Sequence, residues 1–263
     1  MSFPVSAQVT KEWKLIATPF LCLVLMFLFQ PWSVHAQQSP MTGTVTCEFS
    51  ESRVDLPSSD GKELKRTPPT PLLDGLDKVR VQSFPELSNK VIKTRTFQSS
   101  SDYFRTRISI SRFLLFRPMH YFVEMNPRIT VSGPTPKSVC AILAHELVHL
   151  AGMSHGNRIR LLGMVRMLSS SYTARYERST DLEAIQRGYG EGLSSYREWV
   201  YQHVPPAAVK QKRRNYLSPD EISAILQLSQ ADPALFSYWK KHVPLNLQEI
   251  QSSPATVRKM QNN

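Results

Sequence analysis

The chain lacks several features that would place it in other classes of protein. After Gln37 it has no apolar run long enough to cross a bilayer, so its working part is not expected to be embedded in a membrane. No segment is repeated along the chain, which favours one domain with a single hydrophobic core. Cysteine is scarce, with three in 263 residues, which excludes a framework of several disulfides.

Acidic residues are also few in relation to basic ones. The chain has 21 Asp and Glu residues against 32 Lys and Arg, which gives a formal charge of +11. In a cytosolic protein, basic clusters such as residues 62–66 and 210–214 would indicate nucleic-acid binding. In an exported protein, an anionic envelope surface is a candidate partner, and a plainly solvated basic surface is the commonest explanation of such clusters. We expect no nucleic-acid partner.

The N-terminus predicts that the protein is exported. Lys11 and Lys14 precede an apolar run from Leu15 to Trp32, and Val34-His35-Ala36 has the small-residue form of a cleavage site. We therefore predict a signal peptide over residues 1–36 and a periplasmic or secreted mature chain. The alternative is an uncleaved N-terminal membrane anchor.

Two of the cysteines remain once Cys22 leaves with the signal peptide. Cys47 and Cys140 could then form one disulfide, because an exported chain folds in an oxidising compartment. Such a bond would tie an N-terminal arm to the middle of the chain and limit the unfolded state. Two free thiols are the alternative.

The mature chain is predicted to contain one folded domain between two less structured segments. Residues 37–76 are rich in proline and turn-forming residues, which predicts an arm or linker. Residues 77–245 should form the domain, and residues 246–263 a C-terminal tail. The fold class expected for the domain is α+β, mostly α-helical, with a small sheet.

The predicted sheet lies just before the central helix in the sequence. Tyr121–Met125 has the composition of a strand, whereas residues 101–116 fit either a strand at 106–110 or a helix. Helices beyond the central one are predicted over 159–168, 173–189, 193–203, 218–228 and 232–242. Ser218 and Glu221 have the spacing of a capping box at the start of one of them.

The most informative feature of the sequence is His145-Glu146-Leu147-Val148-His149, which has the H-E-x-x-H pattern. Residues four apart share one face of a helix, so His145 and His149 can bind one zinc ion while Glu146 serves as base. Thr135 and Pro136 predict the start of this helix, and Gly152 predicts its end. The surrounding residues are apolar, and polar groups buried there would be costly without a metal.

Catalytic zinc takes three protein ligands and leaves one position for water, so a third ligand is needed. Glu177 and Asp181 fall on one face of a later predicted helix, together with apolar residues, whereas Glu183 falls on the opposite face. A carboxylate that points into a packed core needs a cation, a metal or hydrogen-bond donors. Glu177 can therefore complete the metal site, and the remaining alternatives on this helix are Glu183 or no third ligand.

H-E-x-x-H followed by a helical E-x-x-x-D resembles the gluzincin peptidases of the CAAX prenyl endopeptidase type and their periplasmic relatives. Residues 176–199 and 216–222 also look like uncharacterised exported bacterial proteins that resemble zinc peptidases. The resemblance covers residues 136–190 and implies a zincin-like domain. It implies His145, His149 and Glu177 as zinc ligands, Glu146 as catalytic base, and Asp181 as the residue that orients a ligand.

A second interpretation of the same helix gives His155 as the third ligand. His145 to His155 has the spacing H-E-x-x-H-x-x-G-x-x-H, which resembles the metzincins. In that family Gly152 would let the chain turn so that His155 reaches the metal. Metzincins also have a methionine turn, whereas Met164 and Met167 fall in a predicted helix.

The expected function is zinc-dependent hydrolysis of peptide bonds, with Zn2+ as cofactor and an extended peptide or protein segment as substrate. The strand Tyr121–Met125 could pair with such a segment. His120, Tyr172, Tyr176 and His203 are candidate donors to the developing oxyanion. The alternative function is a non-catalytic protein that uses its basic surface to bind the envelope.

Overall fold

The computed structural model describes residues 70–130, 133–155 and 169–261. The signal peptide predicted over 1–36, Cys47 and the helix predicted over 159–168 lie outside the described residues. The described part is mostly helical with one small mixed sheet, as predicted. Its helices are α1 Thr70–Ser83, α2 Ile110–Leu114, α3 Pro136–His155, α4 Ser170–Ala184, α5 Gly190–His203, α6 Pro206–Asn215, α7 Pro219–Ala231, α8 Ala234–Lys241 and α9 Leu247–Gln261. None of these helices has both the length and the hydropathy needed to cross a membrane.

The sheet has three strands in the order β1-β3-β2. Strands β1 (Val91–Thr96) and β3 (His120–Met125) are parallel, and β2 (Phe104–Ile108) runs antiparallel to β3. The prediction of a strand at Tyr121–Met125 is confirmed. The prediction that this strand pairs with substrate is wrong, because β3 is the central strand and its neighbours already occupy both of its edges.

The segment that fitted either a strand or a helix contains both. Strand β2 ends at Ile108, and the short helix α2 then begins at Ile110 and leads towards β3. The helical alternative was correct for the second part of the segment.

Helix α3 begins where Thr135 and Pro136 predicted. The Thr135 carbonyl accepts from the backbone N–H of Val139 at 3.0 Å, and its hydroxyl oxygen from that of Ser138 at 3.3 Å. The predicted end at Gly152 is wrong, because the helix continues to His155. Packing overrides the local preference of glycine, since the residues on both sides of Gly152, at 151 and 153, are buried.

A predicted helix over 173–189 is interrupted after its third turn. Helix α4 ends at Ala184, a wide turn follows over Ile185–Tyr189, and α5 begins at Gly190. Gly188 has a φ of 92°, a conformation that residues with a Cβ atom rarely adopt. Gly192 lies so close to α3 that a Cβ atom would come within 2.5 Å of the Lys137 carbonyl oxygen. These glycines let α5 pack tightly against the helix of the H-E-x-x-H motif.

The capping box is confirmed at the start of α7. The Ser218 hydroxyl accepts from the Glu221 N–H at 3.4 Å, and the Glu221 carboxylate accepts from the Ser218 N–H at 2.7 Å. The helix expected after Asp232 is also present, as α8.

Both ends of the folded part extend beyond the predicted bounds of 77–245. Helix α1 begins at Thr70, and its Leu76 and Val79 belong to the core. The segment predicted as a tail, 246–263, contains helix α9, in which Ile250 is fully buried. The prediction of a tail was wrong because α9 buries Ile250 and Val257 in the core of the domain.

Candidate metal centre

Three side chains from two helices bring their ligand atoms together. His145 and His149 lie one turn apart on α3, and Glu177 faces them from α4. The Nε2 atoms of the two histidines are 3.1 Å apart, and Glu177 Oε2 lies 3.3 Å from His145 Nε2 and 3.1 Å from His149 Nε2. The predicted ligands therefore form one compact, buried group.

The size of this triangle suits a small transition-metal ion. Zinc bonds to imidazole nitrogen and carboxylate oxygen at about 2.0–2.2 Å, and tetrahedral angles then separate the ligand atoms by roughly 3.3–3.6 Å. The measured separations of 3.1–3.3 Å come within a few tenths of an ångström of that range. Two imidazoles and one carboxylate suit zinc and several other first-row metals. His145, His149 and Glu177 can therefore hold a metal ion.

Asp181 orients the first histidine. Its Oδ1 lies 2.8 Å from His145 Nδ1, although the N–H does not point straight at it. The same carboxylate accepts from Arg197 Nη2 at 2.8 Å and from the Leu217 backbone N–H at 2.9 Å. Asp181 is fully buried, and these donors compensate its charge. The prediction that it lies beside a ligating histidine agrees with this geometry.

These contacts set the protonation states of the metal-free centre. Burial disfavours a charged His145, but the carboxylates of Asp181 and Glu177 outweigh it and raise the pKa of His145 to about 9. Burial would raise the pKa of Glu177, yet His149 and His145 hold it well below its usual value. For Asp181, Arg197 and His145 likewise outweigh burial and lower the pKa. The centre without metal thus combines carboxylates with a protonated imidazole.

His149 has a different set of neighbours. Its ring stacks on that of Tyr176 with centroids 5.0 Å apart, and its Nδ1 lies 3.5 Å from the Thr180 hydroxyl oxygen. That hydroxyl donates to the Tyr176 carbonyl at 3.0 Å, so its oxygen remains available as an acceptor. The sequence did not predict that Thr180 lies beside His149, because a threonine next to two carboxylates on a helix has no distinctive pattern.

Glu146 lies next to the ligands on α3 and turns towards the sheet. Its Oε2 accepts a 2.6 Å hydrogen bond from the hydroxyl of Thr106 on strand β2. Within the described ranges, its carboxylate makes no ion pair. Glu146 is buried, but in the part of the chain that the structure describes no arginine or lysine pairs with it as Arg197 pairs with Asp181. Sequence reasoning missed Thr106, which is 40 residues away in the chain.

The alternative ligands lie elsewhere. His155 is exposed on the last turn of α3, where its Nδ1 lies 2.7 Å from the Ala151 carbonyl oxygen. The helix continues through Gly152, so the turn that would bring His155 to the metal does not form. Glu183 pairs with Lys240 and Arg187 on the other face of α4. Among the described residues, the metal-binding group contains neither of them.

The tyrosines of the site differ from the sequence prediction in one respect. Tyr176 and Tyr172 stack beside His149, as two of the four predicted oxyanion donors. His203 stacks on Trp199, and His120 begins β3. Tyr216 was not among the four predicted donors, yet its ring lies 5.9 Å from that of His145 and 4.2 Å from the Arg197 guanidinium carbon.

Tyr176 and Tyr216, which lie beside the histidines, keep their phenol protons. Burial and the carboxylate of Glu177 raise the pKa of Tyr176 and raise that of Tyr216 well above its usual value. A neutral phenol can donate a hydrogen bond, so either residue is chemically able to assist a developing negative charge.

A buried ion pair holds the loop that carries Tyr216 and Leu217. Arg178, next to the ligand Glu177, donates to both carboxylate oxygens of Glu221 at 3.0 and 3.3 Å. It also donates to the carbonyls of Arg213 and Arg214 at the end of α6, at 3.3 and 3.4 Å. The same turn of α4 therefore supplies a ligand and anchors the loop behind it.

Cys140 is buried on α3 and takes part in a disulfide. Cys22 and Cys47 both lie outside the described residues, so the pairing of Cys140 with Cys47 stays a prediction.

Comparison of the chain with protein-family models, with curated proteins and with solved structures found no match.

Proposed function

We propose that this protein is an exported zinc-dependent endopeptidase with a zincin-like domain. One observation carries the proposal: Glu146, a carboxylate without a cationic partner in the described ranges, lies beside three ligand atoms spaced for a small metal ion. A purely structural site has little use for such a carboxylate, because burial of an unpaired acid is costly. A catalytic base must accept and release a proton, and a carboxylate without a cationic partner can do so more readily than one held in an ion pair.

In the proposed reaction each residue has a separate task. His145, His149 and Glu177 hold the zinc ion, and Asp181 fixes the ring of His145. Bound zinc supplies Lewis acidity, which makes water a better nucleophile and polarises the peptide carbonyl. Glu146 accepts the proton that the water loses and then transfers it to the nitrogen of the departing amine.

The substrate we propose is an extended peptide segment paired with the outer edge of β2. The Tyr103 carbonyl accepts from the Asn126 N–H at 2.8 Å, and the Ser109 N–H donates to the His120 carbonyl at 3.0 Å. In this region the backbone groups of the odd-numbered residues therefore form the hydrogen bonds to β3. The backbone groups of the alternate residues, including Thr106 and Ile108, then point to the outer edge. Because Thr106 also contacts Glu146, a peptide on that edge would lie beside the proposed base.

The decisive experiment compares wild type with Glu146→Gln on casein and a peptide library. We expect zinc to copurify with both proteins in a ratio near one, and only the wild type to cleave. A chelator should abolish cleavage, and added zinc should restore it. If wild-type protein that contains zinc cleaves no peptide, the proposal fails, and the non-catalytic envelope-binding alternative is favoured.

A further inference from the structure

Exposed apolar side chains are concentrated at one end of the sheet. Of the six large apolar residues that are exposed in the described ranges, four lie within residues 110–116. They are Ile110, Leu114, Leu115 and Phe116, with 68%, 66%, 62% and 81% of their surface exposed. The segment joins β2 to β3 and includes helix α2, and it is hereafter called the apolar tip. A contiguous apolar surface of this kind usually marks a binding site.

The apolar tip is also strongly basic. Residues 104–120 contain four arginines and one histidine but no aspartate or glutamate. Two of the arginines, Arg105 and Arg107, lie 2.6 and 3.5 Å from Glu124 on β3. Of the other two, Arg112 lies in the tip, where it donates to the Pro118 carbonyl at 3.2 Å, and Arg117 directly follows the tip.

Strand β1 contributes further residues of the same character. Val91 lies opposite His120 in the parallel pairing, so the start of β1 is at the same end of the sheet as the tip. Val91 is 47% exposed, and Lys90 and Lys93 are close to it in the sequence. Burial, Arg112 and Lys93 lower the pKa of His120, as expected if both cations lie near this end of the sheet.

We propose that the apolar tip docks the protein on an anionic lipid bilayer. Leu114, Leu115 and Phe116 would enter the boundary between head groups and acyl chains, and Arg112 and Arg117 would bind lipid phosphates. Apolar side chains bordered by basic ones are the combination that holds proteins at such interfaces.

The charges favour lipid over a second copy of the chain as the occupant. In a symmetric dimer the same patch faces itself, so the arginines of two tips would repel each other. Seven residues would also provide much less than the roughly 800 Å² that each partner buries in a stable dimer. An anionic bilayer has neither disadvantage.

Docking would also place the metal centre close to the membrane surface. Thr106, which bonds Glu146, is four residues before Ile110, a distance of at most about 13 Å along an extended strand. Peptides at the membrane surface are then the substrates within easiest reach. This extension rests on the proposed function, whereas lipid binding itself requires no catalysis.

The proposal can be tested with vesicles of phosphatidylglycerol and phosphatidylethanolamine, against vesicles of phosphatidylcholine alone. We expect the exported chain to sediment with the anionic vesicles, and Leu114→Ser/Leu115→Ser/Phe116→Ser to bind at least about tenfold more weakly. Arg112→Gln and Arg117→Gln should each weaken binding about fivefold. Val81→Ser is the matched control, because Val81 is 75% exposed but lies on α1, and its binding should equal that of wild type.

A second measurement reports whether the tip itself enters the bilayer, independently of any binding by the N-terminal segment. In a Cys22→Ser background, a polarity-sensitive dye is attached at Leu115→Cys or, as control, at Val81→Cys. We expect its emission to shift to the blue with anionic vesicles only at position 115. Absence of that shift overturns the proposal. The proposal is also overturned if the wild type binds no vesicles but self-associates, and the triple-serine variant no longer self-associates. Cleavage of soluble peptides by the triple-serine variant tests the proposed function separately.

Discussion

The hydroxyl group of Thr106 donates a 2.6 Å hydrogen bond to the carboxylate of Glu146. This bond crosses from an edge strand to the helix that carries His145 and His149, so it sets the direction of the proposed base relative to a peptide on that strand. We expect Thr106→Val, which keeps the shape but removes the hydroxyl, to lower kcat about 10- to 100-fold. Zinc content and KM should change little.

Thr106→Ser serves as the control for this prediction, because it retains the hydroxyl and should keep most of the activity. Steady-state kinetics and metal analysis of the three proteins decide the matter. A Thr106→Val protein with wild-type kcat would show that the hydrogen bond has no part in the reaction.

Asp181 should be essential for stability as well as for metal binding. Asp181→Asn leaves Arg197 buried without a countercharge, and loss of one partner of a buried pair typically costs about 3–5 kcal/mol. We also expect zinc affinity to fall about 10- to 100-fold, since His145 loses its orienting carboxylate. Denaturant unfolding of the metal-free protein and competition with a zinc chelator measure the two effects separately.

A surface ion pair provides the comparison for Asp181. Asp102 pairs with Lys212 at 3.0 Å, but its side chain is 52% exposed. Asp102→Asn should therefore lower the free energy of unfolding by less than about 1 kcal/mol. Equal losses in the two variants would contradict the role given to Asp181.

Metal binding should displace a proton from His145. The pKa of His145 in the metal-free protein is raised from 6.5 to about 9, so the ring is mostly protonated at pH 7 and must lose its proton to bind. Apparent zinc affinity should rise about tenfold per pH unit up to about pH 9. Calorimetry in buffers of different ionisation enthalpy should detect close to one proton released at pH 7, and no release would contradict this expectation.

The same shift predicts how the stability of the metal-free protein depends on pH. A raised pKa means that protonation of His145 favours the folded state. This contribution is complete below the ordinary value of 6.5 and is lost as the pH rises through about 9. The Tm of the metal-free protein should therefore fall over this interval, whereas zinc-loaded protein should not show this loss.

The third ligand can be identified by a pair of variants. Glu177→Ala should lose bound zinc, because two histidines alone leave the metal one protein ligand short. His155→Ala should keep both zinc and activity, since its ring lies on the exposed end of α3. Mass spectrometry of the native proteins would show the metal content directly. The reverse outcome would favour the metzincin-like ligand set.

The edge of β2 can be tested with a proline. Ile108→Pro removes an N–H that we expect to face away from β3, and an edge strand tolerates proline at such a position. KM for extended peptides should rise, while the free energy of unfolding should fall less than in the contrasting variant, since Ile108 loses some packing against the core but no hydrogen bond to β3. Arg107→Pro is the contrast, because residue 107 is expected to bond to β3 and its replacement should destabilise the sheet.

The part of the site that the sequence predicted is the part fixed by helix geometry. His145 and His149 share a face because they are four residues apart, and Glu177 and Asp181 share one for the same reason. Burial then predicted that both carboxylates point inward, and the structure has them 8% and 0% exposed. Local spacing was sufficient for these two pairs, because each pair lies on one helix, whereas the approach of Glu177 and Asp181 to the histidines depends on how two helices pack.

The remaining contacts depend on how distant elements pack. Thr106 reaches Glu146 across 40 residues, and Leu217 donates to Asp181 across 36. No pattern in the sequence specifies which threonine or which backbone amide will meet a given carboxylate. The helical course of the chain through Gly152 was missed for a related reason, since burial of the residues beside it decides its conformation.

The wide turn at Gly188 has a consequence for variation in this protein. Asp181 precedes that turn and Arg197 follows it, and the two meet only because the chain doubles back between them. A side chain at position 188 would disfavour the φ of 92° and so alter the angle between two helices. Loss of affinity for zinc could then arise from a residue that never approaches the ion. In a screen for inactive variants, a hit at this glycine should be read as a change of backbone shape, not of chemistry.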